Sequence, residues 1–108
     1  MQGREDSMRK HDPFRPRVEP AGAIYDAFQD EAAKRKERKF EEWVAAEIEA
    51  VLGCAVEQAH KYGLRAPTRE EVERAERYAM GSVDYGAKWA FGVVEAMRQP
   101  TLPSFTKT

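Results

Sequence analysis

Residues 78–97 read YAMGSVDYGAKWAFGVVEAM, a stretch whose only charged side chains are Asp84, Lys88 and Glu95. At helical spacing one stripe, Val72, Ala75, Ala79, Val83, Gly86, Ala90, Val94 and Met97, is mostly small, and a second, Tyr78, Ser82, Tyr85, Trp89 and Val93, is aromatic. Together they exceed the roughly 100° arc that a single neighbouring helix covers. Each Tyr or Trp buries about 150–250 Å², so leaving the aromatic stripe in water forgoes several kcal/mol at about 25 cal/mol per Å². Something is therefore expected to cover it. The candidates are residues 23–33 folding back, a second copy of the chain, or another macromolecule.

Upstream, Ile24, Phe28 and Ala32, then Phe40, Trp43, Val44, Ile48, Val51, Leu52, Ala55, Val56, Ala59 and Tyr62, keep a three-and-four spacing that predicts helix over residues 21–62. Lys34-Arg35-Lys36-Glu37-Arg38-Lys39 interrupts the apolar positions without a Pro or Gly, leaving either one unbroken rod or a bend at 34–39. Gly63 followed by Leu64 reads as a left-handed helix end of the Schellman type. Thr68 with Glu71 three residues on is a capping box that starts a second helix over 69–98, closed by Gln99-Pro100. Gly81-Ser82 is its weak point. A turn about residues 65–66 makes the helices antiparallel and sets Phe40 opposite Phe91, Trp43 opposite Trp89, Ile48 opposite Val83 and Leu52 opposite Ala79.

The expected fold is thus all-α, a long antiparallel helical hairpin of residues 21–62 and 69–98, completed to a bundle by dimerisation or by residues 23–33. Residues 1–20, with Pro13, Pro16 and Pro20 and no apolar periodicity, read as an extended or disordered arm, and 99–108 as a tail. A chain of 108 residues holds one such domain. With 18 Lys and Arg against 19 Asp and Glu, no global field draws it to nucleic acid or an anionic membrane. The polar N-terminus and the lack of an 18-residue apolar run point to a cytoplasmic protein with no membrane contact. The lone Cys54 cannot close an intramolecular disulfide.

Signals for chemistry are thin. Glu57-x-x-His60 has the spacing that puts a carboxylate and an imidazole on one helix face, as in di-iron bundles, but a site needs a second copy that only a dimer supplies. Glu70, Glu73 and Glu76 recur every three residues, a spacing suited to magnesium, yet Arg74 and Arg77 stand four residues after the first two as ion-pair partners. No glycine-rich phosphate loop or Ser–His or Cys–His arrangement is present, so no catalytic residue, metal ligand or cofactor is assigned. Lys34, Arg35, Lys36, Arg38 and Lys39 are the best nucleic-acid signal, although no aromatic is interleaved for base stacking.

The favoured expectation is a non-catalytic protein-binding module, a regulator, inhibitor or assembly factor of the kind phages and mobile elements carry. It would present Tyr78, Tyr85, Trp89 and Val93 to an unknown protein partner and self-associate into a homo-oligomer. The alternatives are a nucleic-acid binder using residues 34–39 and a metal-dependent enzyme assembled across a dimer around Glu57 and His60.

Overall fold

The computed structural model describes residues 12–100, in which all regular structure is helical and no strand occurs. The order is α1 (Ala21–Ala32), a 3-10 turn at Arg35–Glu37, α2 (Phe40–Tyr62), α3 (Arg69–Ala79) and α4 (Tyr85–Arg98). No helix is long and apolar enough to cross a membrane among the described residues.

The central punctuation follows local chemistry. Gly63 ends α2 in the left-handed region at φ 68°, and the Leu64 amide reaches back to the Ala59 carbonyl at 2.8 Å. Thr68 opens α3 with its hydroxyl accepting from the Glu71 amide at 3.1 Å, while the Thr68 amide donates to the Glu71 carboxylate at 3.0 Å.

Each of the two long helical segments is divided. Around residues 34–39 no apolar side chain holds a continuous rod together. Arg35 instead turns to Glu47 and Arg38 to Glu31, and the first of these ion pairs, twelve residues apart, needs the chain to reverse there. Residues 80–84 break at Gly81, whose φ of 87° suits a residue without a Cβ.

These breaks reset the packing. α1 lies across both α2 and α4, α3 packs along α4, and α2 meets α3 and α4 less extensively. Ile24, Tyr25 and Phe28 of α1 enter one core with Ile48, Val51, Ala55 and Ala59 of α2, Val72 and Ala79 of α3, and Trp89, Val93 and Met97 of α4. Phe28 stands edge-on to Tyr85 at 5.5 Å and to Trp89 at 5.2 Å, and the Trp89 indole N–H donates to the Val72 carbonyl at 3.0 Å. Gly86 permits this closeness, since a Cβ there would lie 2.9 Å from ring atoms of both Phe28 and Tyr25. The pairings expected of a simple hairpin give way accordingly. Trp89 takes Phe28 and Tyr85 as its aromatic neighbours, and Val83 is 89% exposed rather than set against Ile48.

Residues 12–20 form no helix or strand and lie against α1. Arg15 forms a forked ion pair with Asp26 at 2.9–3.2 Å, lying over Gly22, where a Cβ would meet its guanidinium at 2.9 Å. The Tyr25 hydroxyl donates to Asp12 and accepts from the Gln29 amide, both at 2.7 Å, and burial with the Asp12 bond pushes the phenol up to about 12. Polar residues with no periodicity of their own are fastened by specific partners on α1. The remainder of the arm, 1–11, and tail residues 101–108 lie outside the described residues.

At the far end, Arg65 joins three segments. Its guanidinium pairs with Glu71 at 3.0 Å through both terminal nitrogens and donates to the carbonyls of Ala96 and Gln99, while its amide donates to the Met97 carbonyl at 3.2 Å. One side chain thus satisfies the C-terminal carbonyls of α4 and neutralises a carboxylate in the first turn of α3.

Candidate protein-binding groove

The two interruptions of the helical segments meet at one end of the bundle, opposite Arg65. Between them lies a groove of about 420 Å³, within the range of small-ligand and side-chain pockets. One wall is the start of α2, where Phe40, Trp43 and Val44 share a face at three-and-four spacing. The other is the end of α3 and the turn after it, with Glu76, Met80 and Gly81. Phe28, Tyr85 and Arg35 line it as well.

Phe40 and Met80 stay 66% and 60% exposed on these walls, and the Phe40 ring stands edge-on to Trp43 at 5.0 Å. Arg35 holds the interior. Its Nε and Nη2 donate to Glu47 at 2.5 and 2.9 Å, and its guanidinium carbon sits 4.0 Å from the centre of the Trp43 ring. Glu47 is only 2% exposed, so this fork is what keeps a buried carboxylate compensated. The Glu47 bond holds the guanidinium above its ordinary value, against the opposing effect of burial. The Tyr85 hydroxyl donates to Glu76 at 2.7 Å, and burial first, then the Glu76 bond, drives the phenol upward.

The residues expected to form an aromatic interaction face are not brought together on the surface. Trp89, 1% exposed, and Val93 are core residues, so they cannot serve as external anchors. Tyr85 is half-buried between Phe28 and Trp89 and keeps one edge on the groove. Tyr78 is 77% exposed with the Lys88 ammonium 5.7 Å from its ring, and it lines a separate hollow of about 390 Å³ between α3 and α4, where Gly92 lets Ala75 approach. The break at residues 80–84 parts the stripe, turning Tyr78 away from Tyr85, Trp89 and Val93. α1 lies on Tyr85 and Trp89, and periodicity specifies a face without naming what lies on it.

Among the five basic residues at 34–39, Arg35 and Arg38 are committed to Glu47 and Glu31, and Lys34 lies 3.8 Å from Glu31. Lys34, Lys36 and Lys39 are exposed, and the Lys39 amide donates to Glu42 as α2 begins. Glu57 and His60 are exposed on α2, and no group of three or more His, Cys, Asp or Glu gathers as a metal site among the described residues. Glu70 pairs with Arg74 at 3.2 Å, while Glu73 takes Arg69, rather than Arg77, at 2.9 Å.

Phe40, Met80 and Glu47 belong to this end of the bundle and were not singled out from sequence. Glu47 carried a readable signal, a carboxylate on the apolar face of α2 four residues after Trp43 and four before Val51. Met80 had none, because its place depends on the turn at Gly81. Comparison with protein-family models, with curated proteins and with solved structures gives no significant match.

Proposed function

We propose that this chain is a non-catalytic protein-binding module that docks its partner in the groove between the start of α2 and the end of α3. The observation that carries this reading is the pair Phe40 and Met80, left mostly in water on facing walls of a 420 Å³ groove directly above a closed core. Large apolar side chains flanking a concavity are what a partner's side chains bury against, and aromatic walls are typical of binding hot spots. Among the described residues the lining contains no Ser, Cys or His, and its polar groups are engaged, Arg35 with the Glu47 behind it and Tyr85 with Glu76. That composition suits recognition better than bond chemistry.

The groove replaces the face of Tyr78, Tyr85, Trp89 and Val93 as the docking surface. Phe28 of α1 packs on Tyr85 and Trp89, which supports a docking surface elsewhere than on that stripe, while Tyr78 stays exposed. The nucleic-acid reading retains three exposed lysines, Lys34, Lys36 and Lys39.

Site-specific photo-cross-linking tests the proposal. With benzoylphenylalanine at position 40 of the full chain, irradiation in cells should give a discrete cross-linked protein that disappears in Met80→Glu. The same probe at Val56, exposed about 24 Å along α2, should not give it. A product of twice the chain mass would make the occupant a second copy. Identical products from positions 40 and 56, or adducts to nucleic acid alone, would overturn the groove as a protein-docking site.

A further inference from the structure

The charges in the groove do not balance. Among the described residues Arg35 is the one cation lining it, and its hydrogen bonds go to Glu47: Nε and Nη2 lie on the two oxygens of that carboxylate, and the Trp43 ring covers a face of the guanidinium. Glu76 remains. Its carboxylate accepts one hydrogen bond, from the neutral Tyr85 hydroxyl, and shares the field of Arg35 with Glu47, but no Lys or Arg lies within ion-pair distance of it among the described residues. The groove and the buried carboxylate behind it therefore hold two negative groups against one positive, in surroundings made mostly of aromatic and aliphatic carbon. An anionic occupant would meet Glu76 and find only Nη1 of Arg35 unspent. A wholly apolar one would desolvate Glu76 with only the Tyr85 hydroxyl and a cation already paired to Glu47 to offset it, a costly burial of charge.

Resting on the reading of this groove as a docking site, we propose that its occupant is a basic side chain, lysine or arginine, carried by the partner protein beside apolar residues. The aliphatic stem lies along Phe40 and Met80, and the cationic head meets Glu76 at the inner end. Long basic side chains have this division, an apolar stem that buries readily and a charged tip that seeks an anion. The groove has the matching one, with Phe40, Val44 and Met80 for the stem, the Glu76 carboxylate for the head, and electron-rich ring faces around it.

Three capped tripeptides separate this from a merely greasy groove: acetyl-Leu-Lys-Leu-amide, acetyl-Leu-norleucine-Leu-amide and acetyl-Leu-Glu-Leu-amide. Each is titrated into the full nitrogen-15-labelled chain while the Phe40 and Gly81 amides and the Trp43 indole N–H are followed. The lysine peptide should shift all three signals, bind about tenfold more tightly than the norleucine peptide, and weaken as salt is raised. Glu76→Gln, which keeps an acceptor for the Tyr85 hydroxyl, should erase that tenfold advantage and the salt dependence together. Phe40→Ala should weaken the lysine and norleucine peptides alike.

Equal affinity of the lysine and norleucine peptides, or preference for the glutamate peptide, overturns the inference about charge while leaving the groove as a docking site. Absence of shifts with all three peptides overturns it as well, and the cross-linking at position 40 then judges the groove independently.

Discussion

Two glycines of the same chain should respond in opposite directions to the same substitution. A methyl group on Gly86 would sit 2.9 Å from ring atoms of Phe28 and Tyr25, so Gly86→Ala must push α1 off α4 and should cost about 1–3 kcal/mol. Gly53, on the exposed side of α2, has nothing within 4 Å of its Cβ position, and Gly53→Ala should stabilise by up to about 1 kcal/mol through helix propensity. Urea unfolding of both variants measures the signs; a neutral Gly86→Ala would mean that α1 does not approach as closely as described. Sequence alone presented both as glycines inside helical patterns. What distinguishes them is the tertiary neighbour, and no spacing rule reports that. The Arg35–Glu47 fork was hidden for the same reason, since its partners are twelve residues apart and meet only after the chain reverses.

At the scale of elements, the features that could be read early were those closed by atoms a few residues apart. Gly63 with Leu64 and Thr68 with Glu71 end and start their helices as their side-chain chemistry dictates. The boundary between α1 and α2 was not fixed in advance, because the basic run permits either a solvated helix or a turn, and ion pairs to residues 31 and 47 decide between them. Glu71 serves two partners, Thr68 in its own cap and Arg65, whose hydrogen bonds hold its carboxyl below the usual carboxylate range. A depressed folded value means that this contribution is complete above the unfolded value, about 4.3, and is lost as pH falls through the lower folded one. Glu71→Gln should therefore be less stable than the parent at pH 7, and the difference should shrink on acidification to pH 3. Melting temperatures across that range check it, and a difference that grew toward low pH would contradict the assigned sign.

For the whole molecule, the decisive event is the docking of α1. The surplus apolar arc on residues 78–97 was legible, as was the need for a cover, yet a pattern of faces holds no information on whether the cover comes from the same chain. Ile24, Tyr25 and Phe28 supply it here, with residues 12–20 tied behind them through Asp26 and Tyr25. A chain lacking residues 1–33 would present Tyr85, Trp89 and Val93 to water, and light scattering should find it at twice its formula mass or more. A truncated chain that stays folded and monomeric would show that α1 is dispensable as a cover. The Arg65 clasp adds a mechanical aspect. It pins the end of α4 to the beginning of α3 and to the loop that follows α2, while the opposite ends of α2 and α3 flank the open groove. At that end the ties are Phe28 on Tyr85 and Arg35 on Glu47, so both ends of the bundle are closed by side chains from a third segment.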